Sequence, residues 1–167
     1  MAGHLLRAGH RVFANTRSAV PDALVAGGAR VCASGKEVAQ AADIIFIMVP
    51  DTPAVERVLF AESGVAEGLS AGKIVVDMSS ISPMETRQFA ARIRALGCDY
   101  LDAPVSGGEV GAKAATLTIM VGGDPRVFEK VRPLSQVDPV RPLQLIHVER
   151  DAKPGLYRSG CRNASPT

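Results

Sequence analysis

The stretch Tyr100-Leu-Asp-Ala-Pro-Val-Ser-Gly-Gly108 decides the fold, because an apolar run leads directly into a turn of small residues. The run predicts a buried β-strand with a tight turn at its carboxyl end. Two adjacent glycines allow the backbone to expose successive N–H groups, and Ser106 adds a hydroxyl donor. Open α/β sheets bind ligands at the carboxyl ends of their strands. We therefore expect Ser106, Gly107 and Gly108 to hold a substrate carboxylate, with an ordinary glycine-rich loop as the alternative.

A second unit of the same kind precedes this strand, Gly72-Lys-Ile-Val-Val-Asp-Met-Ser-Ser-Ile-Ser-Pro83, and a helical pattern follows it. Ser82, Pro83 and Glu85 predict a capping box with proline at the first helical position, and Gly97 predicts the end of the helix. Strand and helix patterns alternate from the N-terminus onward, with an almost continuous apolar run at residues 44–49. This order predicts an α/β fold with a doubly wound parallel sheet.

The alternating pattern ends near residue 133. Four of the eleven prolines follow it, namely Pro139, Pro142, Pro154 and Pro166, and no helical stripe longer than one turn remains. We expect one strand at Leu143 to Val148 and otherwise an irregular C-terminal tail. The predicted organisation is one domain over residues 1–133 and a divergent tail without a domain over residues 134–167.

The composition is that of a globular protein. The chain has 167 residues, of which 47% are hydrophobic and 22% charged, and its formal net charge is +2. This small, scattered charge argues against a nucleic-acid partner. The longest apolar run falls far short of a membrane span, and the N-terminus lacks a secretory pattern, so we expect no membrane partner and a cytoplasmic location. The three cysteines lack metal-ligand spacing, so no metal site is expected.

These motifs, together with Asp43-Ile-Ile-Phe-Ile-Met-Val-Pro-Asp-Thr-Pro53, resemble the β-hydroxyacid dehydrogenase family over roughly Met1 to Pro133. Within it they are most similar to the reductases of 2-hydroxy-3-oxopropionate (tartronate semialdehyde), with 3-hydroxyisobutyrate dehydrogenases as a related alternative. The resemblance implies an NAD(P)-dependent oxidoreductase with a Rossmann-like NADP-binding domain over residues 1–133. It also implies a small hydroxy- or oxo-acid substrate and a homo-oligomer formed through a helical domain, which this chain does not contain.

The expected cofactor residues follow the second strand and the later strand ends. Where an NAD enzyme places an acidic side chain on the ribose, this chain has Asn15-Thr16-Arg17. Arg17 is able to pair with a 2′-phosphate, which favours NADP while NAD remains possible. An exposed loop arginine is the alternative. By the resemblance, Val49 and Pro50 line the ribose and nicotinamide side, and Ser80 reaches the cofactor.

Two cofactor features of the family pattern are not found. The segment Met1-Ala-Gly-His-Leu-Leu-Arg-Ala-Gly-His10 is similar to the family's first helix, so we expect the sheet to lack its first strand and the glycine-rich phosphate loop. Ser106-Gly-Gly-Glu-Val-Gly111 only approximates that loop, because a serine replaces its first glycine. The missing strand is central in a sheet of this type. We expect an unstable fold unless Val12 to Ala14 pairs directly with Ile45 to Ile47, or the tail strand fills the gap.

The family's catalytic lysine is not found either. Lys153 is far enough along the chain, but Pro154 and Gly155 follow it directly and rule out a helix interior. We therefore expect no catalytic residue in this chain. A catalytically silent product of a truncated or frameshifted gene is the second hypothesis.

Overall fold

A computed structural model describes residues 1–135 and 144–148 of the chain. Helices and strands alternate along these residues. In chain order the elements are α1 (Ala2–Arg7), β1 (Phe13–Ala14), α2 (Asp22–Ala26), β2 (Arg30–Val31), α3 (Gly35–Ala41), β3 (Ile44–Ile47), α4 (Thr52–Phe60), α5 (Val65–Gly68), β4 (Ile74–Asp77), α6 (Pro83–Ala95), β5 (Asp99–Asp102), β6 (Val105–Ser106), α7 (Gly108–Ala114), β7 (Thr118–Gly122), α8 (Pro125–Ser135) and β8 (Gln144–Val148).

The predicted α/β fold is confirmed, with a sheet that is mostly parallel. β1 pairs with β2 in parallel, and β3, β4 and β5 pair in parallel in that order. β7 departs from the prediction because it runs antiparallel to β5 and β6. Residues 107–117 return the chain through the single short helix α7, whereas a parallel crossover needs a dozen or more residues. The expected tail strand is present as β8, which pairs in parallel with β7.

Strand β4 is buried along its whole length, and apolar side chains cover both of its faces. On one face, Val75 belongs to a cluster with residues of β3, α4 and α6. On the other face, Ile74 and Val76 pack with residues of β5, β7 and α8. Helices on both faces of the sheet explain why the apolar runs of the central strands are continuous rather than alternating. Among the described helices, none is long and apolar enough to cross a membrane.

Helix α6 begins differently from the prediction and ends as predicted. Ser82 is the N-cap residue, but its hydroxyl accepts no capping bond from the helix, so the predicted capping box is wrong in this respect. The Thr86 hydroxyl instead donates to the Ser82 carbonyl at 3.0 Å. At the other end, Gly97 has a φ of +74°, and the Cys98 N–H donates to the Ile93 carbonyl. This is the Schellman arrangement that favours glycine.

A gap separates the two sheets. It is a cavity of about 1130 Å³ whose lining includes Val12, Phe13 and Ala14 on one side and Ile45 and Ile47 on the other. Among the described strands, β1 pairs only with β2, and β3 only with β4. Neither of the two arrangements that would close the gap is therefore seen among the described strands, because β1 does not pair with β3 and β8 lies beside β7.

Gly68 provides a test of the packing between α3 and α5. A β-carbon at Gly68 would overlap the carbonyl oxygen of Lys36, which is backbone and has no room to move. We predict that Gly68→Ala lowers the free energy of unfolding by about 1–3 kcal/mol, the usual range for overpacking. Gly3→Ala is the matched control, because its β-carbon would meet only the ends of two side chains, Leu24 at 3.6 Å and Arg7 at 3.8 Å. Urea denaturation of both variants measures the difference, and equal stabilities would contradict this packing.

Candidate cofactor and substrate site

The carboxyl ends of three neighbouring strands meet at one edge of the sheet. The strand register places Ile47 opposite Asp77, and Asp77 opposite Asp102. The loops that follow β3, β4 and β5 therefore begin at the same level. This is the edge at which open α/β sheets bind ligands.

A buried carboxylate connects these loops. Asp77 is fully buried, and it accepts hydrogen bonds from the Ser79 N–H at 2.9 Å and the Tyr100 hydroxyl at 2.7 Å. The Ser79 hydroxyl in turn accepts from the Val49 N–H at 3.0 Å. The result is a continuous path of hydrogen bonds from β5, through the end of β4, to the loop after β3. It fixes the position of Val49 relative to Ser79.

The pKa values of two groups beside Asp77, Asp102 and Tyr100, are raised by burial and by the charge of Asp77. Burial, and then the charge of Asp77, raise the pKa of Asp102 to about 7. Burial also raises the pKa of Tyr100 well above its usual range, and the neighbouring Asp77 adds to this effect. Tyr100 therefore remains a hydroxyl donor, whereas Asp102 is able to gain or lose a proton near neutral pH.

Four of the predicted cofactor residues lie along one cavity. Asn15, Arg17, Val49 and Pro50 all line the cavity between the two sheets. The Asn15 side-chain amide donates to the Cys32 carbonyl at 3.0 Å, which ties the loop after β1 to the end of β2. The Thr16 hydroxyl donates to the Ser18 carbonyl within the same loop. Arg17 is exposed, so its guanidinium is accessible to a ligand.

The fifth predicted cofactor residue, Ser80, lies in a smaller adjoining cleft of about 290 Å³. Val49 and Pro50 line this cleft as well as the larger cavity, so the two spaces meet at this pair of residues. Gly108 lines the smaller cleft too. Val49, Pro50 and Ser80 therefore lie around the same cleft as Gly108, whereas Asn15 and Arg17 line only the larger cavity.

The three residues of the predicted substrate turn differ in their placement. Ser106 ends the short strand β6, and Gly107 and Gly108 have φ angles of +128° and +59°. Both angles lie in the region that favours glycine. Gly108 lines the smaller cleft, but Ser106 and Gly107 line neither of the two cavities. Only one of the three residues therefore faces the space beside Ser80.

Sequence reasoning missed Asp77, Ser79, Tyr100 and Asp102 as members of the site. The available signal was the position of the two aspartates at the ends of adjacent apolar runs. Parallel strands in register place such residues side by side. The hydrogen bond between Tyr100 and Asp77 carried no local signal, because it joins residues that are 23 positions apart.

Three of the four lysines within residues 1–135 have partners away from the two cavities. Lys36 pairs with Glu67 at 3.1 Å, and Lys113 pairs with Glu109 at 2.6 Å. Lys73 donates to backbone carbonyls, including that of Ala42 at 2.8 Å. Within residues 1–135, no lysine lines either cavity, and no group of three or more His, Cys, Asp or Glu side chains is arranged to hold a metal. Lys153 lies outside the described residues.

Asp102 makes stability depend on pH. Because its folded pKa is raised from 3.8 to about 7, the folded state binds more protons than the unfolded state between these values. We predict that the free energy of unfolding falls as the pH rises through this window. The fall is at most roughly 4 kcal/mol, and solvent screening of the half-buried carboxyl makes it smaller. Asp102→Asn removes this dependence. Denaturation at pH 4, 5.5 and 7.5 tests it, and equal slopes in both proteins would contradict it.

Comparison with known proteins identifies the family. Residues 1–137 match the family model described as the NAD binding domain of 6-phosphogluconate dehydrogenase. Over 137 residues the chain is 56% identical to 2-hydroxy-3-oxopropionate reductase from Escherichia coli (strain K12), covering 82% of this chain and 47% of that protein.

Two solved structures are similar as well. Psf3 in complex with NADP+ and 2-OPP matches with a TM-score of 0.80 and 31% identity, over 91% of this chain and 53% of that one. The 3-hydroxyisobutyrate dehydrogenase of Salmonella typhimurium matches with a TM-score of 0.77 and 33% identity, over 89% and 51%. The chain thus spans about half the length of these relatives. It belongs to the family of NAD binding domains of 6-phosphogluconate dehydrogenase, and the predicted membership among the β-hydroxyacid dehydrogenases is confirmed.

Proposed function

We propose that this chain is the NADP-binding part of a reductase that converts 2-hydroxy-3-oxopropionate to glycerate. The observation that carries the proposal is the arrangement of Arg17, Val49, Pro50, Ser80 and Gly108 along two adjoining spaces at one edge of the sheet. That edge is where this class of sheet binds dinucleotides. The similarity to the Escherichia coli reductase supports the choice of substrate.

The loop after β1 supports NADP over NAD. Its residues Asn15, Thr16 and Arg17 include no carboxylate for a ribose 2′-hydroxyl, whereas Arg17 offers an exposed guanidinium. Arginine forms bidentate hydrogen bonds with phosphate oxygens, and an uncharged ribose hydroxyl offers no equivalent partner. The Asn15 side-chain amide already donates to the Cys32 carbonyl. Asn15 therefore helps to hold the loop in position rather than to bind the cofactor through its side chain. When bound, the cofactor would supply the hydride.

The pyrophosphate is the part of the cofactor that fits least well. Dinucleotides are normally held by a glycine-rich turn that leads from a strand into a helix. In the described residues, no strand leads into α1, and the gap between β1 and β3 occupies that place. Among the described residues, we propose that Arg17 and the loop containing Ser80 supply most of the affinity.

The substrate carboxylate is assigned to the turn of Ser106, Gly107 and Gly108. Gly108 faces the smaller cleft, beside Ser80, and the positive φ angles of both glycines suit a turn with exposed N–H groups. A related substrate, 3-hydroxyisobutyrate, is the alternative. It is supported by the similarity to the Salmonella typhimurium enzyme.

Binding and turnover are separate questions for this chain. Reduction of an aldehyde leaves charge on the carbonyl oxygen, which needs a positioned proton donor. Lys36, Lys73 and Lys113 are held by other partners in the described residues. We therefore propose that the chain, as it stands, binds cofactor without catalysing the reaction. This observation also favours the second candidate function, a catalytically silent product.

A titration with NADPH and NADH tests the proposed cofactor site. We predict that Arg17→Ala lowers the affinity for NADPH about tenfold and leaves the affinity for NADH nearly unchanged, because one charged contact is worth about 1.5 kcal/mol or more. Arg87→Ala is the matched control, since Arg87 is exposed on α6, away from both cavities. Isothermal calorimetry measures the affinities. Micromolar NADPH binding that is unaffected by Arg17→Ala would contradict the assignment.

The same protein tests the separation of binding from turnover. With tartronate semialdehyde added, we expect no consumption of NADPH at 340 nm above the rate without enzyme. Substrate-dependent NADPH oxidation by the purified chain would show that a proton donor is present and would contradict this part of the proposal.

A further inference from the structure

Helix α7 directly follows the turn of Gly107 and Gly108 and is exposed over most of its surface. It begins at Gly108, and Gly111 is its one buried residue. Gly111 lies against the Leu117 side chain, which a β-carbon at this glycine would approach to 3.1 Å. Short elements with little buried surface are the ones that open most easily. The position of α7, and of the turn that leads into it, is therefore sensitive to each hydrogen bond that α7 makes.

The last turn of α7 leaves one backbone carbonyl without a partner in the helix. In a continuing helix the Thr116 N–H would donate to the Ala112 carbonyl. It donates instead to the Gly111 carbonyl, at 2.9 Å. The chain turns at this point, because Ala115 adopts the left-handed conformation with a φ of +56°. The Ala112 carbonyl is therefore available to a donor from another part of the fold.

His4 of α1 supplies that donor. The His4 Nε2 atom lies 3.0 Å from the Ala112 carbonyl oxygen, and its Nδ1 atom lies 2.6 Å from the Arg7 guanidinium. A carbonyl only accepts hydrogen bonds and a guanidinium only donates them, so both contacts require the neutral ring with its proton on Nε2. One oriented side chain thus joins α1 to α7 across 108 positions of the sequence.

This hydrogen bond lies where the two spaces of the candidate site meet. His4 lines the larger cavity, and Ala112 lines both the larger cavity and the smaller cleft. Gly108, at the start of the same helix, lines the smaller cleft together with Ser80. A shift of α7 would therefore change the shape of the smaller cleft and would move Gly108 relative to Ser80.

We propose that His4 is a positioning residue for the substrate, because its Nε2–H holds α7 and thereby fixes the turn of Gly107 and Gly108. This inference rests on the proposed function, in which that turn receives the substrate carboxylate. Arg7 orients the ring, so the donor is in place before any ligand binds. Loss of the donor loosens the turn and weakens carboxylate binding, whereas the cofactor contact of Arg17 is unaffected.

Two substitutions of His4 separate the hydrogen bond from the bulk of the side chain. His4→Leu removes both ring nitrogens, whereas His4→Gln keeps an N–H donor at a similar distance from the backbone. His10→Leu is the matched control. His10 lines the same cavity, and among the described residues its side chain makes no hydrogen bond.

Hydrogen exchange of the full 167-residue chain without ligand tests the positioning of α7. We expect His4→Leu to speed exchange of the Gly111 and Thr116 amides about threefold to tenfold, as for the loss of one hydrogen bond. In His4→Gln and His10→Leu these amides should keep nearly their native rates, and amides of α6 should keep theirs in every variant. Unchanged rates at Gly111 and Thr116 in His4→Leu, or an equal acceleration in α6, would overturn the proposal.

A titration with glycerate, the product of the proposed reaction, tests the consequence for binding. Shifts of the Gly107 and Gly108 amide resonances report the carboxylate, and calorimetry with NADPH reports the cofactor. We expect His4→Leu to weaken glycerate binding about threefold to tenfold and to leave the NADPH affinity unchanged, with His4→Gln restoring the native value. Equal glycerate affinities in the native chain and His4→Leu, or equal losses of both affinities, would overturn the proposal.

The two measurements distinguish failure of this inference from failure of the proposed function. If the native chain binds no glycerate, the assignment of the substrate turn is wrong. The exchange rates of α7 then still decide whether His4 holds this helix.

Discussion

The arrangement of the candidate site depends on one buried carboxylate. Asp77 lies at the carboxyl end of the most deeply buried strand, where an ionised group costs several kcal/mol unless donors surround it. The Ser79 N–H and the Tyr100 hydroxyl satisfy it. Because Ser79 also accepts from Val49, the need to satisfy one carboxylate fixes two loops that belong to different strands. The space that Val49, Pro50 and Ser80 line is a consequence of this constraint.

The same carboxylate sets the electrostatics of the edge. Asp77 accepts hydrogen bonds from two donors. Burial and the like charge of Asp77 raise the pKa of the neighbouring Asp102 to about 7. Two carboxyl groups at adjacent strand ends therefore do not both stay ionised at low cost. On the outer side of the larger cavity, Arg17 supplies an exposed positive charge. The edge thus holds one carboxyl group that gains a proton near neutral pH, and the larger cavity beside it is lined by an exposed positive charge.

Local sequence signals predicted the elements whose pattern is self-contained. The continuous apolar run of β4 predicted a strand at Ile74 to Asp77, as observed, and Gly97 ends α6 because its φ angle is positive. The direction of β7 was not predictable from such signals, since it depends on how the short segment after Ser106 turns back. The predicted Ser82 cap is wrong, because the Ser82 hydroxyl makes no capping bond to the helix. The contact of Tyr100 with Asp77 joins two strands, and no periodicity encodes it.

Hydrogen exchange at the Val49 and Ser79 amides tests most directly whether Asp77 holds the two loops. Both amides donate to side chains of this network rather than to regular strand partners. If the account is correct, both are protected in the native chain, and Tyr100→Phe or Asp77→Asn increases their exchange rates at least tenfold, while amides of α4 and α6 keep theirs. Fast exchange in the native chain, or unchanged rates in both folded variants, would contradict it.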